Sequence, residues 1–312
     1  MRSFAGLLGG LSLLLALPLP LRAQWREEPI GHTSVQRLRT APYPHPSRPQ
    51  FTDDRVLMFV PAAARGAGPT VDVIVHYHGH GAETVSDVER RQLRQQLHDS
   101  GRAAVLLAPQ GPLRARDSGG GRHEQAGGLQ RFIEEAFERM VRDGVLPPGT
   151  RPGRVILSGH SGGYKVIAAG LQRGGVDVSE VWLHDGLYGH LDVFQRWAQG
   201  PGRRLVSTHT PGGGTRGNNH TLLRNLRAAG VPVTTDESRL QGARVAILAV
   251  PEGHHDVTHR PPRFLAFART SLLRQGQSHA AAPPLPPARP PEAPQPTGNQ
   301  PSGNGFLDVL GR

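Results

Sequence analysis

Between residues 51 and 275 the chain alternates two hydrophobic patterns. Short, nearly continuous apolar runs occupy residues 55–61, 71–77, 103–108, 154–158, 180–184, 205–209 and 244–250, and they predict strands. Between them, residues 85–98, 129–143, 163–172, 191–198, 218–229 and 263–274 repeat apolar positions every three to four residues, the period of a helix with one buried face. Strand and helix in alternation predict an α/β fold with a mostly parallel central sheet flanked by helices on both faces. The run Val155-Ile156-Leu157 has no polar side, as a strand covered on both faces requires. Every predicted strand but the first ends in a loop rich in Gly, His or Asp, and open α/β sheets bind ligands at the carboxyl ends of their strands.

Both ends of the chain break the pattern. Residues 1–23 place one charge, Arg2, before an apolar run from Phe4 to Leu21 and finish in Leu21-Arg22-Ala23, which predicts a secretory signal peptide and export to the periplasm or the medium. That run is short for a stable membrane span. Residues 24–50 are dotted with proline and weakly patterned, and are expected to be an extension outside the folded unit. In residues 276–312 Ala and Pro dominate, with nine of the 29 prolines between Pro283 and Pro301. Such a segment cannot bury enough apolar area to offset its ordering entropy, so a disordered tail is predicted. One folded domain is expected over residues 51–275.

Composition narrows the chemistry. The chain has no cysteine, which excludes a thiol nucleophile, disulfides and Cys-ligated metal. Its 36 basic residues exceed 25 acidic ones for a net charge of +11, and Lys165 is the only lysine. The arginines are scattered among Asp and Glu and form no basic block, so no nucleic-acid partner is expected.

The candidate nucleophile lies where residues 154–158 run into Gly159-His160-Ser161-Gly162-Gly163 and a helix follows at once. A bare Gly-x-Ser-x-Gly is a weak signal in a glycine-rich chain; its place between strand and helix makes it specific. A turn this tight strains the backbone at its apex, and flanking glycines remove Cβ atoms that would clash. The serine is then held out of the sheet, within reach of a base and beside the positive end of the helix.

Here the chain resembles the α/β-hydrolase superfamily over most of residues 51–275. The resemblance implies a catalytic order of nucleophile, acid and histidine, with part of the oxyanion hole after an earlier strand. The loop His78-Gly79-His80-Gly81 is similar to the His-Gly-x-Gly oxyanion loop of esterases and lipases. By that similarity the donors are His80 or Gly79, together with Gly162 after the nucleophile. His76, His78 and His80 also alternate along one predicted strand face, which leaves a metal site as a competing reading. That reading does not account for the elbow.

The base is expected after the last predicted strand, in Glu252-Gly253-His254-His255-Asp256-Val257. His255 is preferred, because His-Asp-Val before a proline and a terminal helix resembles the histidine loop of several hydrolases; His254 comes second and His259 third. Many members of the superfamily carry the acid after the strand equivalent to 205–209, but Thr210-Pro211-Gly212-Gly213-Gly214-Thr215 holds no carboxylate. The preceding strand runs into Asp185-Gly186, the alternative acid position of pancreatic-type lipases, so Asp185 is the candidate acid, ahead of Asp192 and Asp256.

The resemblance implies a serine hydrolase, esterase-like and free of metal and cofactor, in which Ser161 attacks, His255 moves the proton and Asp185 fixes the imidazole, and the signal peptide adds that it is exported. Its partner is a small or polymeric ester. Amide or peptide cleavage is the first alternative, and a catalytically silent envelope-binding protein is the rival of another class. The glycine-rich loop at residues 117–128 is read either as a substrate-choosing rim or as a plain connector.

Overall fold

A computed structural model describes residues 25–48 and 51–276. The predicted signal peptide and the proline-rich tail lie outside the described residues.

Ten strands form one sheet: β1 (Arg26–Glu28), β2 (Gly31–Arg37), β3 (Arg55–Pro61), β4 (Thr70–Tyr77), β5 (Ala104–Pro109), β6 (Arg151–His160), β7 (Val178–His184), β8 (Arg204–His209), β9 (Val233–Thr234) and β10 (Val245–Ala249). Their spatial order is β1-β2-β3-β5-β4-β6-β7-β8-β10-β9. Pairs β1–β2, β2–β3 and β3–β5 are antiparallel, and every pair from β5 to β9 is parallel. The helices are α1 (Ala62–Arg65), α2 (Thr84–Arg90), α3 (Leu93–Asp99), α4 (Gly128–Arg142), α5 (Tyr164–Arg173), α6 (Leu191–Gln199), α7 (Arg216–Ala228) and α8 (Arg263–Thr270).

Period-two alternation splits the core into two layers. Val73, Val75, Val155, Leu157, Val181 and Leu183 pack with α4 to α7 on one face. Ile74, Ile156 and Trp182, the residues between them, pack with α2, α3 and α8 on the other. A side-chain period of two sends successive residues to opposite faces, so apolar residues at every position mean that both faces are covered. The most central strand, β6, is flanked by parallel β4 and β7, and its carboxyl end opens the site described below.

Two expectations need correction. Of the stretch 24–50, the described residues 25–48 are not outside the folded unit, because β2 pairs with β3 from Gly31↔Pro61 to Arg37↔Arg55. The polar sequence Gly-His-Thr-Ser-Val-Gln-Arg carries almost no hydrophobic signal, and its buried polar side chains are satisfied only in the fold: Gln36 donates to Asp143 at 3.2 Å. The chain after β2 docks on α4, where Glu135 accepts from the Thr40 N–H at 2.8 Å. The single helix expected over 85–98 is two, α2 and α3, divided at Gln92 with φ 53°. From Val88 to Leu93 the apolar spacing is five residues, one more than a helix face tolerates, and the chain turns there to keep both in the core.

Candidate active site

At the end of β6, Ser161 sits at the apex of a single 3-10 turn, Ser161–Gly163, that leads into α5. Its φ is 52°, in the left-handed region that a non-glycine residue adopts only when its surroundings impose it. The flanking glycines are needed for close approach: a Cβ on Gly159 would lie 2.7 Å from Ile167 Cδ1, and one on Gly163 2.7 Å from the Tyr77 carbonyl oxygen.

Asp185 follows β7 with φ 47° and is fully buried. Its carboxylate accepts from His254 Nδ1 at 2.7 Å, from Thr210 Oγ1 at 2.6 Å and from Thr215 Oγ1. Burial by itself would raise this carboxyl, but the donors His254, Thr210 and Thr215 outweigh it and hold it below the usual aspartate value. The turn after β8, which lacks the acid found there in many hydrolases, thus serves the acid instead. Gly213 packs directly on the carboxylate; a Cβ there would stand 1.8 Å from Asp185 Oδ2.

The ring that meets Asp185 is His254, not the preferred His255. With Nδ1 donating to Asp185, Nε2 of His254 is the acceptor left to face the cleft. His255 is exposed, and its ring bonds to neither Ser161 nor Asp185 among the described residues; its carbonyl accepts from Arg91 at 3.0 Å. The two rings meet edge to face at 5.5 Å and both line the cleft, but only His254 reaches the buried carboxylate. His259 lies 3.7 Å from Asp256, and Asp192 pairs with Arg196 on α6 at 2.8 Å, so neither carboxylate approaches His254. Ser161 and His254 line one cleft of about 610 Å³, with no hydrogen bond between them. Such bonds often tighten only when substrate binds. The Tyr188 hydroxyl lies beside Ser161 and donates to the Gly213 carbonyl, and burial pushes its titration up.

The loop after β4 approaches from the other side. A Cβ on Gly79 would be 2.9 Å from Ser161 Cβ. The Gly79 carbonyl accepts from His78 Nδ1 at 2.7 Å, while His78 Nε2 accepts from the Gly111 N–H at 3.0 Å and from Gln110 at 2.8 Å. Those contacts fix the tautomer of His78, which burial keeps neutral. A trans peptide points its N–H opposite to its C=O, so tying down the Gly79 carbonyl orients the His80 N–H. The Gly81 N–H is already committed to Ala115 O at 2.9 Å. Gly162 is covered by the His80 ring and the Ser118 hydroxyl, which bond to each other. The three histidines of the metal reading are separately engaged: His76 with Ser158, His78 with Gly79 and His80 with Ser118. Among the described residues no group of three or more His, Asp or Glu is placed to hold a metal ion.

One buried network ties these parts together. Arg91 Nε bonds both oxygens of Asp87 at 3.0 Å, its Nη1 donates to His255 O and to Thr258 Oγ1 at 2.8 Å, and its Nη2 donates to His160 Nδ1 at 3.1 Å. His160, the variable residue of the elbow, in turn donates from Nε2 to His254 O at 2.8 Å. Burial, reinforced by Arg91, keeps His160 neutral, in the tautomer these bonds require. Neither Arg91 nor the threonines at 210 and 215 is legible as a functional residue in sequence. The one available signal was the pair of hydroxyl residues flanking Pro211 to Gly214.

No protein-family model and no curated protein matches the sequence. Among solved structures, the chain is similar to the fluorophosphonate-binding serine hydrolase F of Staphylococcus aureus at 9% identity and a TM-score of 0.47, over 77% of this chain and 98% of that one. It is similar to carboxyl esterase 2 of Tuber melanosporum at 14% and 0.49, over 81% and 91%. A third is the S-formylglutathione hydrolase of Agrobacterium tumefaciens at 10% and 0.45, over 80% and 99%. What decides the fold is the chain itself: a mostly parallel sheet crossing from β5 through β4 to β6, a strained serine elbow between the central strand and its helix, and serine, aspartate and histidine in that order along the sequence. By these features the chain has the α/β-hydrolase fold.

Proposed function

We propose that this chain is a serine hydrolase that cleaves carboxylic esters, with Ser161 as nucleophile, His254 as general base and Asp185 as the group that orients it. The observation that carries the reading is the Asp185–His254 pair, held at 2.7 Å in the cleft into which the strained elbow projects Ser161. Ser161 Oγ attacks the ester carbonyl as its proton passes to His254 Nε2, and Asp185 steadies the imidazolium that results. The N–H groups of His80 and Gly162 receive the oxyanion, with Gly79 supplying the close approach. Collapse of the tetrahedral intermediate expels the alcohol, which takes the proton from His254. Water then repeats the sequence on the acyl-enzyme and returns Ser161.

Export follows from the signal peptide read in residues 1–23 and belongs to the same proposal. Labelling of the purified chain with a fluorophosphonate probe tests the reading. Wild type is expected to be modified at Ser161 and Ser161→Ala to be unlabelled, with ester turnover unaffected by EDTA. Labelling that persists in Ser161→Ala, or activity lost to EDTA and restored by zinc, contradicts it. Parallel assays on matched ester and amide substrates separate esterase from amidase.

A further inference from the structure

The cleft beside Ser161 is lined by more charge than acyl transfer needs. Around its wall stand Arg90, Arg91 and Arg114, facing the carboxylates of Glu83 and Asp87. Both acids are already engaged, Asp87 within the cleft and Glu83 in part by Arg55, which Asp53 also holds. Asp87 is buried and held by Arg91 on both oxygens, with Arg90 on the same carboxylate. Glu83 accepts from the Ser86 N–H at 2.9 Å and pairs at 3.2 Å with Arg55, which stands outside the cleft.

The arginines are not spent to the same degree. Arg90 keeps 61% of its side chain exposed, and Arg114 is exposed with no ion pair among the described residues. Three guanidinium groups thus stand against the two carboxylates of Glu83 and Asp87. The cleft therefore presents net positive charge at its open side.

Arg114 is held there by its backbone. Its φ is 51°, an uncommon conformation for a long side chain, and its N–H donates to Ala82 O at 3.0 Å while Gly81 donates to Ala115 O at 2.9 Å. These two bonds staple residues 114–115 to the loop that carries His80, so Arg114 keeps a fixed relation to the reacting centre. A strained residue that leaves an unpaired guanidinium at the mouth of a reactive cleft is suited to a ligand with oxyanion geometry, which Arg binds through two parallel N–H donors.

We propose that the ester bound beside Ser161 carries an anionic oxygen group, carboxylate or phosphate, and that Arg114 with Arg90 binds it. This rests on the reading of the cleft as a hydrolase site and names the substrate class for it. Binding is measured on the intact ester, by calorimetry with the Ser161→Ala protein. One set of probes compares mono-para-nitrophenyl succinate, its phosphonate analogue made from phosphonopropionic acid, and neutral para-nitrophenyl butyrate. A second pair, para-acetoxybenzoate and phenyl acetate, moves the charge to the alcohol side.

At least one anionic ester is expected to bind about tenfold more tightly than its neutral counterpart, with a preference that falls as salt is raised. The preference is expected to collapse in the Ser161→Ala protein that also carries Arg90→Gln and Arg114→Gln. The relative affinity of the succinate and phosphonate probes tells carboxylate from phosphate. Equal affinity within both probe sets overturns the proposal, as does a preference that survives the double arginine substitution. Fluorophosphonate labelling of wild type separates the two failures: a labelled protein without charge preference loses this proposal alone, whereas an unlabelled one with charge-selective binding loses the hydrolase reading.

Discussion

At the scale of single residues, the site turns on which of two adjacent histidines faces Asp185. Of the two, only His254 has a ring nitrogen on that carboxylate, while His255 stands exposed at the cleft and lends its carbonyl to Arg91. His254→Gln is therefore expected to lower ester kcat/KM by at least about a thousandfold, and His255→Gln by no more than about tenfold. Asp185→Asn keeps the shape but favours the wrong imidazole tautomer, a change costing on the order of 10⁴ in turnover in a comparable triad. Steady-state kinetics with melting curves as the folding control decide the matter; a larger loss in His255→Gln than in His254→Gln reverses the assignment. Much of this was legible in sequence. Ser161 and Asp185 each stand where a strand meets a glycine-rich turn, and that pattern is local. The choice between neighbouring histidines is not local, because it depends on which way a loop is rotated by bonds to residues far along the chain.

At the scale of elements, that rotation is set by Arg91. It sits at the C-terminal end of α2 and reaches the end of β6 through His160 and the histidine loop through His255 O and Thr258. A guanidinium can satisfy all of these partners at once; an ammonium cannot. Arg91→Lys is thus expected to lower kcat more than it raises KM, by about tenfold or more, and to slow fluorophosphonate labelling in proportion. Rapid labelling with only a lowered melting temperature would assign Arg91 to stability alone. The predicted elements of the central sheet were readable because each buries both faces and carries its own hydrophobic run. The outlying strand β2, between β1 and β3, was not, since its buried Thr33, Ser34 and Gln36 show as polar in sequence. The break between α2 and α3 was visible only as a slip in spacing from Val88 to Leu93.

At the scale of the whole molecule, the interior holds several neutral histidines. His76 and His123 are pushed down to about 3 by burial, and burial carries His160 and His184 well below the usual imidazole value. Neither ring nitrogen of His184 has a hydrogen-bond partner among the described residues, and its ring stacks on Phe267 at 5.1 Å. As pH falls below the ordinary value of 6.5, the unfolded chain takes up protons on these four groups that the folded chain refuses. Their contribution is complete above about pH 6.5 and is lost progressively as pH falls below it, at up to about 1.4 kcal/mol per group per pH unit. For a domain stable by about 5–15 kcal/mol this is decisive, and acid unfolding is expected with a midpoint near pH 5. Urea titrations between pH 7 and pH 5 measure the proton uptake on unfolding; an uptake below one proton contradicts this account.

Alternating apolar runs and helical periods by themselves determined the α/β class, the central strands and the placing of Ser161 and Asp185, because each follows from interactions within about ten residues of sequence or from the need to cover a strand on both faces. Folding decided the rest. His254 rather than His255 meets Asp185, the acid-free turn at Thr210 to Thr215 becomes the donor set for Asp185, and residues 26–37 join the sheet. Arg114, which forms no ion pair among the described residues, likewise comes to the rim of the cleft only through its ties to the loop after β4. Each of these outcomes joins groups separated by roughly 18 to 165 positions in the chain. Local pattern carries no information on such pairings, because packing of the two layers against the sheet is what brings the partners within hydrogen-bonding distance.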